Sequence, residues 1–162
     1  MPIMQLTYQT RQQLNEKLII QELQWRRFMP KLLPLLYRVH QILPITEETN
    51  LCFSNDLSIK KLNDQFRGKN KPTNVLTFEL PGGGMIGGDI IFALQTIQKE
   101  AQQNKRPFMH HLAHLIIHGL LHLQGYDHIY VNEAKEMEMR EALLLQKLNI
   151  PNPWKLYPSR SI

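Results

Sequence analysis

The sequence has one cysteine, Cys52, so no disulfide can close within the chain. Its apolar runs, such as Leu115 to Ile117 and Leu143 to Leu145, fall far short of the ~20 residues that a membrane helix needs. No signal peptide and no lipidation motif are legible. These absences predict a soluble protein of a reducing, cytoplasmic compartment without a membrane role. Internal repeats, low-complexity tracts and long linkers are also missing. With 162 residues the expectation is a single domain, 1–162, with a loose tail over 151–162 marked by Pro151, Pro153 and Pro158. A domain of this length buries roughly 68–70% of its unfolded surface, enough for an ordinary core. Five glycines crowd into residues 81–88, but no Gly-Lys-Ser/Thr follows them, which excludes a phosphate-binding P-loop.

Acidic residues are in deficit. The formal net charge is +5 and the isoelectric point lies near 9.4. One basic concentration holds Arg11, Lys17, Arg26, Arg27, Lys31 and Arg38, and another holds Lys60, Lys61, Arg67, Lys69 and Lys71. Such patches attract polyanions by counterion release, yet a merely solvated basic surface has the same composition.

The pattern of elements is mixed. Ile3 to Tyr8 reads as a short strand and Leu14 to Arg27 as a helix. Pro30 and Pro34 interrupt it and leave Lys31 to Ile42 as a separate or restarted helix. Thr49 to Ser54 reads as a strand, and Asn55 or Asp56 can cap the helix after it. Asn74 to Phe78 and Asp89 to Ala93 read as strands, the second leading into a helix to about Gln103. Pro107 opens a long helix to about Gln124, and Asn132 is placed to cap a final one to about Leu148, with Ala134, Met137, Leu144 and Leu148 on its buried side. This order predicts an α+β fold, a small mixed β-sheet surrounded by helices.

Six of the seven histidines fall between residues 110 and 128. His118 and His122 are four apart, so a helix sets both rings on one face about one turn apart. That separation lets both reach one metal ion at ~2.0–2.1 Å. Gly125 can turn the chain through a left-handed conformation and return His128 toward the same ion. Three neutral nitrogen ligands with an open fourth position describe a catalytic rather than a structural zinc site, on a helix and the turn after it. His114 lies one turn before His118, either as a fourth ligand or, the reading taken here, supporting a ligand or facing substrate. Asp127 can orient an imidazole or cap the turn. His40, His110 and His111 read as ordinary core or surface residues, and Asp89 is a weak candidate for a base. The spacing also fits the metzincin peptidase pattern, except that Gly119 stands where the glutamate base would be. That glycine fits a need either for open space beside the metal or for close helix packing.

The run His118-Gly-Leu-Leu-His122-Leu-Gln-Gly125-Tyr126-Asp127-His128 resembles the signature of the YbeY endoribonuclease family. Leu62 to Phe78, Gly88-Asp89-Ile90 and the acidic stretch Glu133 to Glu141 are similar to that family in the same order, so the likeness covers roughly residues 50–150. The resemblance implies a zinc-dependent endoribonuclease that prefers single strands and acts in ribosomal RNA processing, ribosome maturation and quality control. It implies one Zn2+ per chain on His118, His122 and His128, a functional Arg67, and ribosomal RNA with small-subunit or assembly proteins as partners. Lys69 and Lys71 would then be phosphate contacts that position without reading sequence. Whether water or the RNA 2′-hydroxyl attacks stays open, as does the oligomeric state. Two other readings compete: a non-catalytic RNA-binding assembly factor with a largely structural zinc, and a metallopeptidase.

Overall fold

In the computed structural model, residues 18–20, 29–46, 48–68, 73–80, 87–126 and 130–154 are described, with the backbone alone for residues 18–20, 29 and 67. They form strands β1 (Leu18–Ile20), β2 (Thr49–Ser54), β3 (Val75–Glu79) and β4 (Gly88–Ala93) and helices α1 (Met29–Ile42), α2 (Asp56–Arg67), α3 (Leu94–Gln103), α4 (Phe108–Leu123) and α5 (Val131–Lys147). The sheet order is β1-β2-β4-β3, with β1, β2 and β4 parallel and β3 antiparallel to β4. The fold is α+β with one small mixed sheet, as expected.

The helix expected over Leu14 to Arg27 is corrected: Leu18–Ile20 is an edge strand in register with Leu51 to Phe53. Leu, Lys, Glu and Gln there favour a helix locally, but pairing with a strand some thirty residues away overrides so weak a preference. The strand expected over Ile3 to Tyr8 lies outside the described residues. Pro34 does not end a helix either. α1 runs from Met29 through Pro34, and both Pro30 and Pro34 face solvent. Pro30 sits in the first turn, where its missing N–H costs nothing, while Pro34 removes one ladder bond.

Caps locate the other elements. Asn55 accepts from the Ser58 amide at 2.7 Å and so starts α2, while the left-handed Gly68 closes it. Asp56 accepts from the backbone and hydroxyl of Thr96, which ties the start of α3 to that of α2. α5 begins one residue before Asn132, after Tyr130 and without a side-chain cap. Of its expected inward residues Met137, Leu144 and Leu148 are buried, and Ala134 is half-buried.

α4 is the central helix. Eleven of its sixteen residues are buried, so other elements enclose it nearly all round. It packs against β3 and β4, with α3 and α5 beside it. A Cβ on Gly119 would stand 2.9 Å from Cγ2 of Ile90, a stiff and fully buried side chain on β4. Packing against the sheet therefore accounts for the glycine. Among the described residues no helix is long and apolar enough to cross a membrane.

Candidate metal centre

The burial of α4 sets its histidines in a row. His111, His114, His118 and His122 recur at helical spacing, and successive rings stand 6.2, 6.3 and 4.6 Å apart between centroids. His111 and His114 are buried, and His118 and His122 are half-buried. Beyond Leu123 the chain turns at Gly125, whose φ of +99° a side chain would strain. The sequence expectation of a turn there holds.

Glu141 on α5 organises the row. It is 1% exposed, and its carboxylate meets three groups: His114 Nε2 at 2.7 Å, His118 Nδ1 at 2.6 Å and Trp154 Nε1 at 2.9 Å. Burial by itself pushes this carboxyl up, but the hydrogen bonds and positive potential of His114 and His118 outweigh it and hold the pKa down at about 2. A carboxylate only accepts, so each ring, when neutral, carries its proton on the nitrogen that faces Glu141. His118 donates through Nδ1 and presents the lone pair of Nε2. His114 donates through Nε2, and its Nδ1 is buried with no partner. That commitment separates His114 from the ligand positions; it holds Glu141 from behind.

His118 Nε2 and His122 Nε2 stand 3.1 Å apart. Two nitrogens each ~2.0–2.1 Å from one tetrahedral ion are about 3.3 Å apart, so the pair fits two ligands of a single zinc. The carboxylate behind His118 Nδ1 is the support that metal-ligating imidazoles ordinarily have. Among the described residues no group of three His, Cys, Asp or Glu side chains converges to hold a metal ion. The third expected ligand, His128, lies outside the described residues, as do Asp127, Lys69 and Lys71. Arg67 is the last residue of α2, and its side chain also lies outside them.

Other candidates take structural roles. His40 Nδ1 accepts from the Ile45 amide at 2.9 Å. Asp89 is exposed and accepts from Asn50. His111 bonds to Glu100 at 3.0 Å, and burial lowers its pKa although Glu100 opposes this. Glu100 also accepts from Asn74, which links α3, α4 and the start of β3. The chain after α5, expected loose from residue 151, instead brings Trp154 onto Glu141, with its ring edge-on to His114. Residues 155–162 lie outside the described residues. A cleft of about 700 Å3 opens beside His118.

Sequence reasoning did not single out Glu141. It stood within an acidic stretch that reads as a solvated helix face. One signal was available: Glu141 lies four residues after Met137 and three before Leu144, so it falls on the buried stripe of α5 rather than off it.

Comparisons with known proteins bear on the family and the fold. A family model described as Endoribonuclease YbeY matches residues 9–149. A protein named Endoribonuclease YbeY from Gluconobacter oxydans is 47% identical over 106 residues, 65% of this chain and 62% of that one. Its namesake from Bartonella bacilliformis is 46% identical over 116 residues, 68% of this chain and 73% of that one. In the Rhodopseudomonas palustris protein of the same name the matched part is 60% of the length, so with the first of these the match spans under two thirds of the relative. A solution structure from Thermotoga maritima shares the fold, with a TM-score of 0.52 and 24% identity over 89% of this chain and 99% of that one. The family model spans most of the sequence and includes the paired histidines and their buried glutamate; the chain belongs to the endoribonuclease YbeY family.

Proposed function

We propose that this chain is a zinc-dependent endoribonuclease that cuts single-stranded RNA during ribosomal RNA processing in the cytoplasm. The observation that carries the reading is the pair of Nε2 atoms on His118 and His122, 3.1 Å apart, with Glu141 fixing the ring of the first. One Zn2+ would be held by His118, His122 and His128. When bound, zinc supplies Lewis-acid polarisation of a phosphoryl oxygen and acidifies water to near neutral pH.

The chain's own residues do the rest. Glu141 keeps His118 in the tautomer whose Nε2 lone pair faces outward. His114 and Trp154 hold Glu141 in place and exclude water from its carboxylate. Arg67 would meet the phosphate, where a guanidinium fork stabilises the charge that develops as the ester bond breaks. Lys69 and Lys71 would hold neighbouring phosphates. A peptidase reading gains no support, because a side chain at position 119 would run into Ile90. Ribosomal RNA and small-subunit or assembly proteins are the proposed partners.

The test compares zinc-replete wild type with His122→Ala and Arg67→Ala, purified identically, on a ribosomal RNA fragment with single-stranded regions. Zinc content per chain and circular dichroism are measured alongside. Cleavage by the wild type alone, with both variants folded and about one zinc lost from His122→Ala, is the expected result. Equal cleavage by all three points to a contaminant. RNA binding without cleavage turns the reading to a non-catalytic assembly factor.

A further inference from the structure

The cleft beside His118 begins at residues of the metal centre and runs on to residues that have no part in the chemistry assigned above. Its lining follows α4 back from His118 through His114 and His111 to Lys105 and Arg106 in the loop before the helix, and it includes Trp154. At 1.5 Å per residue, the start of the helix lies ~15 Å from His118, and Lys105 and Arg106 lie just before it. The volume of about 700 Å3 falls within the range of small-molecule sites.

The chemistry of the walls narrows the occupant. No Asp or Glu is among the described residues that line the cleft, while Lys105 and Arg106 both do. The carboxylates behind the wall, Glu100 and Glu141, are already bonded to lining residues, whereas a polyanion meets Lys105 and Arg106. Lys105 is exposed and forms no ion pair among the described residues. Its backbone is held at φ 52°, which lysine rarely adopts, between Lys105 N–H to Gln102 O and Arg106 N–H to Ala101 O bonds. α4 starts just beyond, on Pro107 and with no side-chain cap, so the positive end of its dipole adds to the same field. At the His118 end, Trp154 is 44% exposed and its indole N–H is already spent on Glu141. What remains open to a ligand is aromatic ring, the surface on which unpaired bases stack.

We infer that this cleft is a subsite for single-stranded RNA flanking the bond that is cut, with a base on Trp154 and a backbone phosphate further along the strand on Lys105 and Arg106. The inference rests on the RNA-cleaving reading for its substrate but not for its test. Lys105→Asp reverses the charge with a residue that tolerates positive φ. Binding of a 2′-O-methyl single-stranded oligonucleotide, which removes the internal nucleophile, is followed by anisotropy across a salt series. Lys105→Asp is expected to weaken binding by about tenfold and to flatten the salt dependence by about one phosphate contact. With cleavable RNA, KM should rise while kcat holds. Oligonucleotide should quench the wild-type indole emission, and Trp154→Phe should lose that quench. Unchanged affinity in Lys105→Asp, no binding by the wild type, or a quench that survives in Trp154→Phe overturns the subsite. Binding lost in Lys105→Asp while the wild type cuts no RNA keeps the subsite and overturns the cleavage reading instead.

Discussion

Replacing Glu141 by Gln tests whether one carboxylate governs the site. The glutamine is the same size, so packing on α5 is kept while the charge and one acceptor oxygen are lost. Glu141 is 1% exposed, accepts from three donors and has a pKa near 2 against an ordinary value near 4.5. A difference of that size corresponds to roughly 3 kcal/mol at neutral pH, in line with removing one partner of a buried charged cluster. The amide must also point its NH2 at one imidazole. Toward His118 it demands an acceptor at Nδ1, which moves the proton to Nε2 and removes the lone pair offered to a metal. Toward His114 it places a proton on Nδ1, an atom that is buried with no partner. Either orientation is costly, and the first predicts a loss of 10–100-fold in zinc affinity. Urea unfolding of the metal-free protein measures the first quantity, and competition with a chromophoric chelator measures the second. A stability within about 0.5 kcal/mol of wild type together with unchanged zinc affinity refutes the reasoning, since a typical surface substitution does no more.

The same carboxyl sets an acid limit. Because its pKa is depressed in the folded state, its contribution is present above the ordinary value near 4.5 and is lost as pH falls toward 2. The stability gap between metal-free wild type and Glu141→Gln should therefore close from about pH 5 downward, as urea midpoints at several pH values would show. His111 acts in the same sense at higher pH: its pKa is lowered, chiefly by burial, so acidification below the ordinary imidazole value of about 6.5 favours the unfolded chain, and His111→Gln should soften the loss of stability as pH falls below that value. Gly119→Ala gains about 1 kcal/mol of helix propensity but pushes a methyl against Ile90; a net loss of about 1 kcal/mol in urea unfolding is expected, and a gain would mean that β4 yields. Burial, and then the Asp89 charge, push the Cys52 thiol up, so iodoacetamide should label it more slowly than a free thiol at pH 8, and Asp89→Asn should speed the reaction modestly.

What could be read from the sequence was what is local. The His118–His122 pair, the turn at Gly125 and the Asn55 cap depend on residues within a few positions of one another, and fixed helical geometry carries them into space. What could not be read depends on distant partners. β1 is a strand because β2 lies beside it, against its own composition. Glu141 reaches His118 across 23 positions of chain, and Trp154 reaches Glu141 from beyond the end of α5. Position 119 allowed two explanations until Ile90 was seen against it.

The Gly119–Ile90 contact also orders the steps by which this scaffold could change its chemistry. A glutamate beside His118 is the single substitution that would complete a peptidase-type motif, yet it arrives in a filled space and would unseat α4 from the sheet. A smaller residue at position 90 would have to come first, and by itself it leaves a cavity and offers no new activity. The two changes are coupled, each harmful alone. A path through single substitutions thus crosses a valley, and the side chain that guards the outcome belongs to β4, in the core beneath the ligand helix.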